Sequence, residues 1–240
     1  MGVRFLSAGD RALVVEFGDH IDRVLSERVL GLNTAIGAHP PPGVIETVPT
    51  FRSLTVYYDP LLTSRKQLEK AIAGLLGRED SPSVGARSWR LPVCYEGEFA
   101  PDLAEVGRLT GMTQDQVVGL HSGTRVHVYM LGFLPGFPYM GDLPNKLSLP
   151  RRADPRLRVP AGSISIATSL TAIYPYESPG GWHLIGATPI RLFDPERVQP
   201  ALLAPGDAVE FMPVDATSFS SIRRAVENRS YEPESAPITA

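Results

Sequence analysis

The residues best suited to chemistry lie in the second half of this 240-residue chain, in three segments of unusual composition. In "PRRADPRLRVPAG" (150–162), Arg151, Arg152, Arg156 and Arg158 fall close together. Guanidinium groups bind carboxylate or phosphate through paired hydrogen bonds, so the cluster suits an anionic substrate or cofactor. Arg158 is expected to contribute most, because it leads into the strand after Pro160. In "YPYESPGGWHLIG" (174–186), Gly180 and Gly181 can turn backbone N–H groups toward an anion. Tyr174 and Trp182 can stack on a ring, and Glu177 and His183 are acid/base candidates. His121, alone before a strand, is a further acid/base candidate. "GFLPGFPYMGDLP" (132–144) carries Phe133, Phe137 and Tyr139 among three Gly and three Pro, and reads as neither helix nor strand. Proline fixes φ and glycine permits unusual φ, so such a loop holds one shape at low entropic cost. Its rings would form a rigid wall of a pocket or a docking surface. Each feature also has a plainer reading: aromatics folded inward as a plug, a solvated basic loop, an ordinary glycine turn, a structural histidine.

Other chemistries are excluded. The lysines are Lys66, Lys70 and Lys146, none of which follows glycine, so there is no Gly-Lys-Ser/Thr phosphate cradle. GxGxxG, GxSxG, HExxH and CxxC motifs are absent. The five histidines lack zinc-ligand spacing, and no tightly bound metal is expected. The single cysteine, Cys94, rules out an internal disulfide and sits in an apolar strand, where packing is its expected role. A net charge of -3 argues against nucleic-acid or membrane-surface partners. No apolar run approaches the roughly 20 residues of a membrane helix. The opening "MGVRFLSAGD" lacks a secretory apolar core, and a cytoplasmic location is expected.

These segments need elements to hold them. "RALVVEF" (11–17), "VIETV" (44–48) and "SLTVYY" (53–58) read as strands. Between them, "IDRVLSERVLGLNTAIG" (21–37) puts Ile21, Val24, Leu25, Val29, Leu32 and Ile36 on one helical face. "SRKQLEKAIAGLL" (64–76) is a second helix with a Ser64/Gln67 capping box. Strands with two helices on one face predict a ferredoxin-like α/β sandwich over 1–80. The polar, turn-rich "GREDSPSVGA" (77–86) marks the boundary. A second domain, 87–228, opens with the strand "SWRLPVCY" and two short helices near 102–110 and 114–120, the latter with a Thr113/Gln116 capping box. Short strands between Gly and Pro turns follow: "RVHVYML", "SISIAT", "TAIYP", "HLIG", "IRLF" and "AVEFMPV". Their regular spacing predicts a closed or partly closed β-barrel. "TSFSSIRRAVEN" (217–228) is a closing helix, and residues 229–240 are expected to be a flexible tail.

Taken in order, "GFLPGFPY" (132–139), "PRLRVPAGSISIA" (155–167), "IYP" (173–175), "SPGGW" (178–182) and "LIGATPIRLFDP" (184–195) resemble one family. It is the kinase A inhibitor / 5-oxoprolinase B-subunit family, also called allophanate hydrolase subunit 1. "GDRALVVEFGD" (9–19) is similar to the family's opening, so the resemblance spans nearly the whole chain. It implies a ferredoxin-like domain followed by a cyclophilin-like β-barrel. It further implies a partner chain, the family's C-subunit (allophanate hydrolase subunit 2), in a mixed oligomer. The activity implied is ATP-dependent opening of 5-oxoproline to glutamate, with ATP and Mg2+ at a site shared with the partner. Two alternatives stay open: an allophanate hydrolase or urea carboxylase-type subunit, and a binding module that inhibits a histidine kinase. The chain departs from the family pattern IAGxQTGIYP, because "IATSLTAIYP" puts Thr168, Leu170 and Ala172 where Gly, Gln and Gly are usual.

Overall fold

The computed structural model describes residues 2–77 and 86–238. Most of the expected boundary segment, residues 78–85, lies outside the described residues. The chain forms two compact units that divide between residues 86 and 87.

The first unit contains β1 (Arg4–Ser7), β2 (Ala12–Glu16), α1 (Arg23–Ala38), β3 (Val44–Pro49), β4 (Ser53–Tyr58) and α2 (Arg65–Ala73). The strands form an antiparallel sheet in the order β1-β2-β4-β3, so β4 lies between the two strands joined by α1. Asp22 caps α1 by accepting from Val24 N–H at 2.8 Å and Leu25 N–H at 3.2 Å. Ser64 and Gln67 form the expected capping box on α2. Alternation sends Leu13, Val15, Leu54 and Val56 to the helices, where Val29, Leu32, Ile36, Leu68 and Ile72 meet them. Ile21, expected on that face, is exposed because it precedes the helix start at Arg23, and Val24, in the first turn of α1, is exposed as well. The sequence reading missed β1, a short and largely exposed edge strand with little apolar signal.

The second unit opens with β5 (Arg87–Val93), α3 (Leu103–Thr110) and α4 (Gln114–Ser122), the last with its Thr113/Gln116 capping box. Then come β6 (Val126–Leu131), β7 (Pro138–Gly141), β8 (Arg156–Val159), β9 (Ser163–Ala167), β10 (Leu170–Ile173) and β11 (Ser178–Gly180). It ends with β12 (His183–Ala187), β13 (Ala208–Pro213), α5 (Ala216–Glu227) and β14 (Glu234–Pro237). Eight strands make one sheet, ordered β12-β9-β10-β7-β6-β13-β5-β14, and β8 pairs with β11 separately. The sheet is not a closed barrel. A single bridge, Cys94 to Ala187, ties the strand end after β5 to β12. Leu91, Val128, Ile164, Ile166, Ile185 and Phe211 fill the core.

Three further expectations need correction. "IRLF" (190–193) is not a strand, and only Phe193 makes a bridge, to Ala201. Pro189, Pro195 and Pro200 flank it, and proline cannot donate to a ladder. The 132–144 segment is not wholly irregular, since β7 starts at Pro138, the first strand position, where its missing N–H is tolerated. The end of the chain is not all loose, since β14 pairs antiparallel with β5 from Glu234–Arg90 to Pro237–Arg87. Without it, β5 would be an open edge with unpaired backbone groups. Among the described residues no helix is long and apolar enough to cross a membrane.

Candidate binding pocket

The aromatic segment owes its shape to a tight connection between β6 and β7. Gly132 N–H donates to Phe137 O at 3.1 Å, and Phe137 N–H donates to Leu134 O at 3.0 Å. Phe133 and Gly136 both have left-handed backbone, with φ of 68° and 74°. At Gly136 glycine is required twice over, because a Cβ there would come within 2.8 Å of Phe193 Cβ. For Phe133 the same conformation is a strained one. Phe133 stands 62% exposed, whereas Phe137 is 2% exposed. The segment is therefore neither all plug nor all surface. Phe137 is packed between neighbours, with its ring centroid 5.4 Å from Phe133, 5.0 Å from Tyr139 and 5.1 Å from Tyr174. Tyr139 leads on to Trp182 at 6.0 Å.

These rings line a concavity of about 350 Å³. Its far wall is Arg151, Pro155, Gly180, Gly181 and Trp182. The Arg151 guanidinium lies 5.9 Å from the Trp182 ring centroid. Gly180 leaves no room for a side chain, because a Cβ would run into the Tyr174 hydroxyl. Burial raises the pKa of both Tyr139 and Tyr174, with Arg151 pulling the other way, so both phenols stay neutral. The pocket thus offers flat aromatic faces, neutral hydroxyls and one cation. That set suits a small planar anion and contains no acid/base pair. Larger hollows of about 520 to 610 Å³ open elsewhere on the unit, lined by none of the residues predicted from sequence.

The arginine cluster does not converge on an anion. Arg158, expected to lead it, is 78% exposed, and its fork is filled by Glu177 at 2.9 and 3.0 Å. The pairing lowers the Glu177 pKa and raises that of Arg158. Glu177 is therefore a surface partner, outside the pocket lining. Arg156 forks onto Asp102 at 2.9 and 2.6 Å, and Arg152 reaches Asp102 at 3.2 Å and Glu105 at 3.1 Å. Only Arg151 of the four faces the pocket. Charge balance explains the difference: a partly buried guanidinium needs a local carboxylate.

Neither candidate histidine lines the pocket. His121 is fully buried on α4, stacked 4.5 Å from Phe211. Its Nδ1 faces the Tyr95 hydroxyl at 2.8 Å and its Nε2 the Thr171 hydroxyl at 3.0 Å. Burial drops its pKa to about 3, so it is a neutral structural residue. His183 is also buried, with Nε2 donating to Pro150 O at 3.1 Å. Its Nδ1 and the Nε of Arg152 are buried without a hydrogen-bond partner. Cys94 is buried, and burial raises its pKa, in keeping with a packing role. The residue that sequence reasoning missed is Asp102, which is 3% exposed and holds two of the four arginines. An acidic residue at the start of a helix reads as an ordinary N-terminal preference, so its partners some fifty positions away gave no local signal.

The model of the carboxyltransferase domain, subdomain C and D, matches residues 3–203. The B subunit of 5-oxoprolinase from Bacillus subtilis (strain 168) is 36% identical over 229 residues, covering 90% of this chain and 94% of that protein. The solved structure of TTHA0988 is 38% identical with a TM-score of 0.77, covering 86% of this chain and 40% of that one. This chain therefore spans less than half of that protein. The Kluyveromyces lactis urea carboxylase, at 22% identity and a TM-score of 0.81, covers 98% of this chain and 24% of that one, a likeness of fold alone. On the family match and the Bacillus relative together, the chain belongs to the carboxyltransferase domain, subdomain C and D, family.

Proposed function

We propose that this chain is the B subunit of an ATP-dependent 5-oxoprolinase, which opens 5-oxoproline with ATP and water to glutamate, ADP and phosphate. The observation that carries this is the near full-length match to a protein named as the B subunit of 5-oxoprolinase. The pocket is compatible with it. 5-Oxoproline is a small, nearly flat lactam bearing one carboxylate. Arg151 would hold the carboxylate, Trp182 and Tyr139 would face the ring, and the buried Tyr174 would help keep bulk water away. The pocket does not fit ATP, because one guanidinium cannot balance a triphosphate. The nucleotide and Mg2+ therefore belong at a site that the C-subunit partner, an allophanate hydrolase subunit 2 homologue, supplies or completes. This chain then acts in a mixed oligomer in the cytoplasm.

The first unit is a ferredoxin-like sandwich in which β1 fills the fourth strand position, a reading supported by β4 splitting the β2–α1–β3 crossover. The second is a cyclophilin-like barrel left open along most of one seam, supported by the bridge at Cys94. A second functional reading, a module that docks on a histidine kinase, is favoured by one observation, the exposed ring of Phe133 on a left-handed backbone. A urea or allophanate pathway role is suggested by the family's carboxyltransferase name. The deciding experiment is co-purification with a C-subunit homologue and an ATPase assay across 5-oxoproline, urea and allophanate. Stimulation by 5-oxoproline supports the proposal. No partner binding, with inhibition of kinase autophosphorylation by the chain alone, would replace it.

A further inference from the structure

We propose that Asp102 is a positioning residue that sets the geometry of the Arg151–Trp182 wall. The inference rests on that pocket being the substrate site. Asp102 stands at the N-cap of α3, yet its carboxylate makes no capping bond to that helix. It is turned the other way and accepts from three residues in two segments of chain. Arg156 donates from Nη1 to Oδ2 at 2.9 Å and from Nη2 to Oδ1 at 2.6 Å. Arg152 Nη1 adds a contact to Oδ1 at 3.2 Å, and Leu184 N–H donates to Oδ2 at 2.7 Å. The backbone closes the joint, because Asp102 N–H donates to Leu184 O at 2.9 Å.

Each partner is a near chain neighbour of a residue in the pocket wall. Arg152 follows Arg151, Arg156 follows Pro155, and Leu184 lies two positions past Trp182. The two sides of the wall are also stitched together. Arg152 N–H donates to Gly181 O at 2.8 Å, and Arg156 pairs with Gly180 between β8 and β11. A single buried carboxylate therefore holds both the 150–156 loop and the 180–184 segment. Glu105 shares Arg152 but is 42% exposed at its side chain, so it cannot replace a buried anchor. Without the Asp102 charge, two guanidiniums that are 23% and 25% exposed lose their common counter-ion. They are then driven toward water, and the loop that carries Arg151 goes with them.

The test is Asp102→Asn in the complex with the C-subunit homologue. The amide keeps the size and an acceptor for Leu184 N–H, and removes the charge. The expected result is a fall in kcat/KM for 5-oxoproline of about ten- to a hundred-fold, carried by KM, as a displacement near 1 Å of a binding group produces. Circular dichroism and complex formation should match wild type, while acrylamide quenching of tryptophan rises through Trp182. The other tryptophan, Trp89, is held by Asp207 and should not respond. Arg158→Ala, a charge lost from the same segment but outside the network, should leave KM unchanged. A folded Asp102→Asn protein with wild-type KM and quenching overturns the proposal. If that variant does not fold, Arg156→Lys, which keeps the charge and loses the fork, is measured in the same way, and wild-type values there overturn it too. If the wild-type complex does not act on 5-oxoproline, the substrate reading fails separately. The quenching comparison then decides whether Asp102 holds the wall.

Discussion

Arg151 is the one cation of the pocket, so its removal should be felt in substrate recognition and hardly in stability. The side chain is exposed and makes no ion pair among the described residues; its contact in the structure is the Trp182 ring at 5.9 Å. That distance is at the limit of useful cation–π range, so the contact orients the guanidinium and adds at most about 1 kcal/mol to folding. A bound carboxylate is different, since a hydrogen bond to a charged group contributes about 1.5–3 kcal/mol. By rate arithmetic this corresponds to roughly ten- to a hundred-fold in kcat/KM. Arg151→Met should therefore lose that factor for 5-oxoproline in the assembled complex, with its melting temperature near wild type. Arg151→Lys keeps a charge without the fork and should recover little. The discriminating assay uses 2-pyrrolidinone, the same ring without its carboxylate, as a competing ligand. Its affinity should be the same for wild type and Arg151→Met. A wild-type KM for 5-oxoproline in Arg151→Met, or an equal loss of affinity for the carboxylate-free lactam, would refute the carboxylate role.

Arg158→Ala should be near-silent in both turnover and thermal melting, because its pair with Glu177 is solvent-exposed and screened; a kinetic loss comparable to that of Arg151→Met would contradict the assignment of roles. His121 should impose a pH dependence on stability. Its folded pKa is about 3 against about 6.5 when unfolded, so below pH 6.5 the unfolded chain binds a proton that the folded chain refuses. Stability is then intact above that value and falls toward pH 3 by up to about 1.4 kcal/mol per pH unit, a slope that urea titrations of His121→Asn should show reduced. Thr168 begins the two-residue turn between β9 and β10 with φ of 53°, a left-handed conformation costly for a β-branched side chain. Thr168→Gly should raise stability by up to about 1 kcal/mol, measured as a higher melting temperature, and a lower one would show that the Thr168 hydroxyl bond to Ala167 O outweighs the strain.

Elements whose signal is local were legible in the sequence. The two capping boxes, the helices of both units and most strands follow from periodicity and turn residues. The pocket was legible in pieces. Proline and glycine around Phe133, Phe137 and Tyr139 announced a rigid aromatic turn, and the pair Gly180–Gly181 suggested backbone N–H groups presented to an anion. The structure assembles these pieces with Tyr174, Trp182 and Arg151. What could not be read was which charges already have partners. Arg156 and Arg158 are two positions apart on one short strand, and alternation alone would give them the same face and the same surroundings. Arg156 nevertheless meets buried Asp102 and Arg158 meets exposed Glu177, because β8 pairs with β11 across a register shift. No spacing rule contains that outcome.

The distribution of partners also bears on the substrate. Four arginines in one segment suggest a polyanion site, but three are neutralised by Asp102, Glu105 and Glu177, leaving one unit of positive charge at the pocket. A pocket with a single uncompensated cation and apolar walls gains most from a ligand with a single negative charge, because further charges would be desolvated without a counter-ion. A neutral ligand gains at most a hydrogen bond from Arg151 and no ion pair. Under the proposed function, the pocket would on that ground favour monoanionic amides such as 5-oxoproline or allophanate over urea, and would separate the two by shape. A saturated five-membered ring can lie against Trp182 and Tyr139 while its carboxylate reaches Arg151, whereas the short planar allophanate can satisfy the cation but fills less of the aromatic surface. Under the proposed function, the aromatic walls would carry the discrimination that the charge alone cannot supply.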